Sequence, residues 1–189
     1  MTASELNDVL ADVSQFCLAG QPVPNDLRSL WQAQLAEDTD LLDAYELTLF
    51  DGVDEDLFDG FGVEAGVEVP VAAAFDRMVR QIRWIGEILD GSLIGYWVGE
   101  GNRPVDRSPL VVCDPDGQFE LGAMTIAEYL LDCTDPEDPE DFAEVRSELE
   151  RLGIHVPVRN HDELWDRLEG FDDPNGVVLG YVVEERMRG

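Results

Sequence analysis

Two histidines, three cysteines and 42 carboxylates are the side chains here that could bind a metal or carry a proton. His155 and His161 are separated by five residues, a spacing that puts them on different faces of a helix and across an expected helix start. The expectation is one surface or capping imidazole and one packed imidazole, not a zinc pair. Cys17, Cys113 and Cys133 are odd in number, far apart and outside any C-x-x-C spacing, so they read as three reduced, buried or half-buried thiols. Asp54-x-Asp56 has the first step of a calcium loop, but Asp51 to Glu64 does not keep the ligand order, central glycine and terminal glutamate. Among so many acids, close carboxylate pairs are inevitable and do not by themselves point to acid–base catalysis. The chain has no G-x-S-x-G, no P-loop and no G-x-G-x-x-G. It has no lysine, which removes Schiff-base chemistry. The reading is a protein without catalytic residues, cofactor or metal.

The charge is the strongest signal. The formal net charge is −30, and all 12 basic residues are arginine. Residues 1–69 carry −15, residues 70–107 carry zero and residues 108–189 carry −15. Such a chain lacks the electropositive footprint of a duplex nucleic-acid binder and is repelled by anionic lipid. No apolar run approaches the roughly 20 residues of a membrane span. The start, MTASELNDVLADV, lacks the cationic stretch and apolar core of a secretory signal. The expectation is a soluble, cytoplasmic chain. With 44% hydrophobic residues, it should fold as a single domain over 1–189.

The elements that must carry these charges follow from periodicity. Leu6, Val9, Leu10, Val13 and Phe16 share one helical stripe, ended by Gly20. A second helix starts near Asn25 with Leu27, Leu30, Trp31 and Leu35 inward, and a third is expected from Thr39 to Leu49. Residues 51–68 read as an acidic, glycine-rich loop, and Val71 to Met78 as a short helix. The period then changes to two. Residues 81–89 and 92–98 flank Asp90-Gly91, which predicts a type I′ hairpin. Leu110–Cys113 and Gln118–Leu121 flank a second turn at Asp114-Pro115-Asp116-Gly117. Thr125 with Glu128 forms a capping box, Phe142, Val145, Leu149 and Leu152 make a further helical stripe, and Asn160 caps a helix with Leu164, Trp165 and Leu168 inward. Trp84, Tyr96, Trp97 and Trp165 are expected in the core. Val177 to Val183 suits a final strand. The fold class is α+β, a central antiparallel β-sheet (a meander over residues 80–122) flanked by N-terminal and C-terminal helices.

Residues 80–132 bear a resemblance. Trp84-Ile85-Gly86-Glu87, Gly91-Ser92-Leu93-Ile94-Gly95-Tyr96-Trp97, Pro109-Leu110-Val111-Val112, Asp116-Gly117-Gln118-Phe119-Glu120-Leu121 and Met124-Thr125-Ile126-Ala127-Glu128-Tyr129-Leu130-Leu131 follow in that order. The run resembles the SUKH superfamily, which includes bacterial toxin-immunity proteins and yeast cell-wall assembly regulators. The N-terminal third departs from the family pattern. The resemblance implies an α+β fold and a non-catalytic binding role, often the neutralisation of a toxin. A strongly acidic folded surface fits a cationic, nuclease-like partner on physical grounds as well, by filling a phosphate site and steering encounter. The expected partner-facing residues are Asp51, Asp54, Glu55, Asp56, Phe58, Asp59 and Phe61 in one stretch, and Asp135, Glu137, Asp138, Glu140 and Asp141 in the other. Phe58 and Phe61 would be apolar anchors, or would tuck the loop onto the core. Other readings stay open: acidity as adaptation to salt or a GC-rich genome, with an unassigned and even carboxylate- or metal-dependent enzymatic role, or a general DNA mimic. Oligomeric state is not fixed by the sequence.

Overall fold

A computed structural model describes residues 3–52 and 68–188. The chain starts with helix α1 (Ala3–Asp12), which runs into a π-helical turn at Val13–Cys17. That turn changes the inward stripe. Leu10 and Val13 are buried as expected, but Phe16 is 61% exposed, and Cys17 and Leu18 are buried in its place. An extra residue per turn rotates every later side chain, which a strict 3.6 period misses. Ala19 and Gly20 then adopt positive φ and end the segment.

Helix α2 (Asn25–Leu35) buries Leu27, Leu30 and Trp31. The expected helix from Thr39 to Leu49 is two elements: one turn of α3 (Leu41–Ala44) and strand β1 (Leu47–Leu49). Glu46 at φ 54° breaks the helix, and Leu47 and Leu49 point inward while Thr48 points out. The leucine run satisfies a helical stripe and an alternating strand equally well, and pairing with β2 (Ile82–Ile88) decides it.

Helix α4 (Val69–Val79) leads into β2, followed by β3 (Leu93–Trp97), β4 (Leu110–Cys113) and β5 (Phe119–Leu121). All neighbours are antiparallel, in the order β1-β2-β3-β4-β5, so the meander has a fifth strand at its edge. Ile85 is the extra residue of a bulge, since Trp84 pairs with Gly95 and Gly86 with Ile94. Both tight hairpins share one construction. The Gly91 N–H donates to the Ile88 carbonyl and the Gly117 N–H to the Asp114 carbonyl, with each glycine at positive φ. Asp90 does not share that φ, so the first loop is a three-residue turn closed by a left-handed glycine, not the expected type I′.

Helices cover both faces. On one, Ile85, Ile94, Tyr96 and Leu110 pack with residues of α1, α2, α5 (Ile126–Asp132), α6 (Pro139–Arg151) and α7 (His161–Asp166). On the other, Trp84, Leu93, Trp97, Val111 and Phe119 pack against Phe75, Met78 and Val79 of α4, with Val177 and Val178 alongside. The result is an α+β fold with a central antiparallel sheet. Among the described residues no helix is long and apolar enough to cross a membrane.

The expected final strand is wrong: Pro174–Arg188 is helix α8. Tyr181 and Val182 bury against Ala74 of α4, with Val177 and Val178 packed beside them, while Leu179 and Val183 face solvent. That is helical spacing, and docking on α4 overrides the β preference of the valines. Arg77 holds the pair together. It forms ion pairs with Glu184 at 2.7 Å and with Glu100, and its guanidinium stacks 3.8 Å over the Tyr181 ring. Asn175 then closes the β5 edge. Its side-chain N–H donates to the Phe119 carbonyl at 2.7 Å, and its Oδ1 accepts the Phe119 N–H at 3.0 Å. The amide occupies the place of a sixth strand.

Candidate functional site

Of the two acidic stretches, the second is described in full. Residues 133–138 connect α5 to α6, and three of the five expected contact residues organise this connection. Asp138 caps α6 by accepting the Glu140 N–H at 3.0 Å. Asp135 accepts the Glu137 N–H at 2.8 Å, and Asp141 accepts the Asp135 N–H at 3.1 Å. Hydrogen bonding therefore brings Asp135, Glu137, Asp138, Glu140 and Asp141 together on one short shoulder. Among the described residues none of the five forms an ion pair, although every one of the ten ion pairs recorded there uses an arginine. They have no ion-pair partner and, apart from half-buried Asp141, are exposed.

The inner side of the shoulder is pinned. The Thr134 hydroxyl donates to the Leu131 carbonyl at 2.7 Å and lies 3.1 Å from Nε2 of buried His161. The His161 ring packs edge-on against Phe142 at 5.0 Å and beside Trp165 at 5.8 Å. His155 is exposed and His161 buried, the division expected of the two imidazoles. Trp165, expected in the core, is 48% exposed. In the six-residue α7, His161 and Leu164 take the inward positions, leaving the indole at the rim, where its N–H donates to Asp132 Oδ1 at 2.8 Å. Burial pushes the Asp132 carboxyl up, against the lowering effect of that bond. A groove of about 200 Å³ results, with Pro136, Pro139, Phe142 and Trp165 as apolar walls beside the acids. The sequence signal for the groove is the Pro-x-x-Pro pair, which reads first as a helix break.

Of the first stretch, Asp51 is exposed; burial, and then the Asp51 charge, push the Cys17 thiol up to about 11. Asp54, Glu55, Asp56, Phe58, Asp59 and Phe61 lie outside the described residues. Cys17, Cys113 and Cys133 are all free thiols, the first two buried and Cys133 at the surface. Among the described residues no three His, Cys, Asp or Glu side chains converge as metal ligands. Thr125 caps α5 by accepting the Glu128 N–H at 3.2 Å, but the Glu128 carboxylate accepts the Met124 N–H, one residue before the Thr125 N–H that donates in a capping box. No family model, curated protein or solved structure matches the chain.

Proposed function

We propose that this chain is a non-catalytic protein-binding module that neutralises a cationic toxin, as immunity proteins of the SUKH type do. The observation that carries the reading is the shoulder at residues 135–141, where five acids without arginine partners flank Pro136 and Pro139 of a groove that Phe142 and Trp165 also wall and that Arg159, Asn160, His161 and Asp162 complete. An interface needs both parts. Uncompensated exposed charge steers encounter with a basic partner, and a half-exposed indole beside two prolines supplies an anchor. Asp51 and the acids that follow it would extend the negative field.

The test takes as partner a cationic toxin domain, sought first among the products of the neighbouring genes. Replacing Asp135, Asp138 and Asp141 by Asn and Glu137 and Glu140 by Gln keeps the turn and cap acceptors while removing five charges. Association at low salt should slow by about ten-fold or more, and raising ionic strength should narrow the gap. Trp165→Ala should act mainly on dissociation. Failure of the parent chain to bind that domain at low salt, or to protect cells from it, would overturn the reading. Equal acidity across the proteins of the source organism would make salt adaptation the better account.

A further inference from the structure

A second concavity lies at the N-terminal end of α5, and nothing in the toxin reading uses it. It measures about 500 Å³ and opens between the starts of α2 and α5, the short 3₁₀ turn at Val105–Arg107, and residues 153–157. That size falls within the range of about 300–1,000 Å³ common to small-ligand sites. Its charged lining is Asp26, Asp106, Glu128 and Arg167, a net of −2. Pro24, Val105, Met124, Ile154 and Pro157 supply apolar wall.

Three polar groups line this space, and one of them has no partner. Tyr96 is 1% exposed, lines the cavity, and its hydroxyl has no hydrogen-bond partner in the protein. A phenol left in this state costs stability unless something in the cavity satisfies it. Glu128 is also 1% exposed. Its Oε1 stands 2.9 Å from Arg167 Nη1 as an ion pair, without an aligned hydrogen bond. Asp26 accepts the Ala127 N–H at 3.3 Å, which fixes its carboxylate at the cavity wall. Burial pushes both carboxyls up, so each gains from a cation placed beside it. An anion would meet three carboxylates against one guanidinium.

We propose that this cavity binds an organic cation: a guanidinium or primary ammonium group on a short aliphatic stem. The head lies among Asp26, Glu128 and the Tyr96 oxygen, and the stem lies along Val105, Met124 and Pro24. The cation could arrive as a free small amine or as an arginine or lysine side chain of a protein partner. The inference does not depend on the toxin reading, because the free cation alone tests it.

The probes are butylguanidinium and its uncharged isostere butylurea, titrated into the full chain in 0.5 M NaCl, where surface attraction is screened. Backbone amide NMR shifts report the location. Butylguanidinium should shift the amides of Ala127, Val105 and Tyr96 saturably and bind at least about ten-fold tighter than butylurea, the effect of a charged hydrogen bond. Tyr96→Phe should weaken it by about two- to ten-fold without lowering the melting temperature, because no protein partner is lost. Asp26→Asn should weaken it further, and Glu128→Gln serves the same purpose if that variant does not fold. Competition by butylguanidinium against the cationic domain would identify a partner's side chain as the natural occupant, and its absence alongside tight binding would identify a free amine. Equal affinity for the two probes, or no saturable shift at those amides, overturns the proposal.

Discussion

Alanine at Gly95 tests the packing between β2 and β3 directly. A Cβ there would sit 2.7 Å from the Arg83 carbonyl oxygen, 2.7 Å from Ile82 Cγ2 and 2.9 Å from Trp84 Cα. Two of those three atoms are backbone, and Trp84 is the registered partner of Gly95. A rotamer change can move the Ile82 methyl, but it cannot move Arg83 O or Trp84 Cα. Relief therefore requires the two strands to part by several tenths of an ångström beside the bulge, in the middle of the sheet. Overpacking of this kind costs about 1–3 kcal/mol, and the rigid neighbours put Gly95→Ala at the upper end. For a chain of this length each kcal/mol moves the melting temperature by about 2–4 °C, so the expected drop is about 6–12 °C. Gly180→Ala is the control of opposite sign. Gly180 lies inside α8 with no atom within 4 Å of its hypothetical Cβ. Alanine there should raise stability by about 0.8–1 kcal/mol through helix propensity. Differential scanning calorimetry on both variants decides it. A Gly95→Ala protein melting within about 2 °C of the parent would refute the strand register.

Asn175→Ala should destabilise by about 2–4 kcal/mol, since it strands both the N–H and the carbonyl of buried Phe119. Light scattering should show concentration-dependent association from the exposed edge, and a monodisperse variant of parent stability would argue against the amide's role. Burial raises Asp26, Glu128 and Asp132 from the ordinary carboxylate value. Raised folded values mean that their contribution to stability is full below about pH 4 and is lost as pH rises through each of them. Urea midpoints should therefore fall with rising pH across that window, less steeply in Glu128→Gln; a midpoint flat or rising there would contradict it. Burial pushes Cys17, Cys113 and Cys133 up to about 11, 12 and 11. In native protein at pH 8 a disulfide reagent should label Cys133 alone, and slowly, with all three reacting after denaturation.

The sheet was legible wherever turn chemistry is local. Asp90-Gly91 and Asp114-Pro115-Asp116-Gly117 announce both hairpins because a glycine at positive φ has few substitutes. Thr125 and Asn160 mark helix starts through their own side-chain bonds. What escaped was decided by distant partners. Leu47–Leu49 becomes a strand because β2 offers an edge, and Val177–Val183 becomes helical because α4 offers a face. The acids of 135–141 could be named from the sequence, whereas the groove beside them could not. Trp165 reads as core by spacing and emerges only because α7 is too short to turn it inward. The Tyr96 cavity left no pattern at all. Its polar groups come from α2, β3, α5 and the segment after α7, and each reads separately as a core residue, a cap or a surface charge.

The closure of β5 by Asn175 also orders events at the ribosome. The five strands are complete once Leu121 has emerged, but the amide that seals their last edge belongs to a helix ending at Arg188. Synthesis at about 5–20 residues per second separates the two by about 3–13 seconds. During that interval the outer edge of β5 at Phe119 lacks its cover, and a strand from a neighbouring nascent chain can take the place reserved for Asn175. Crowded translation of this message should therefore promote association of nascent chains through the β5 edge.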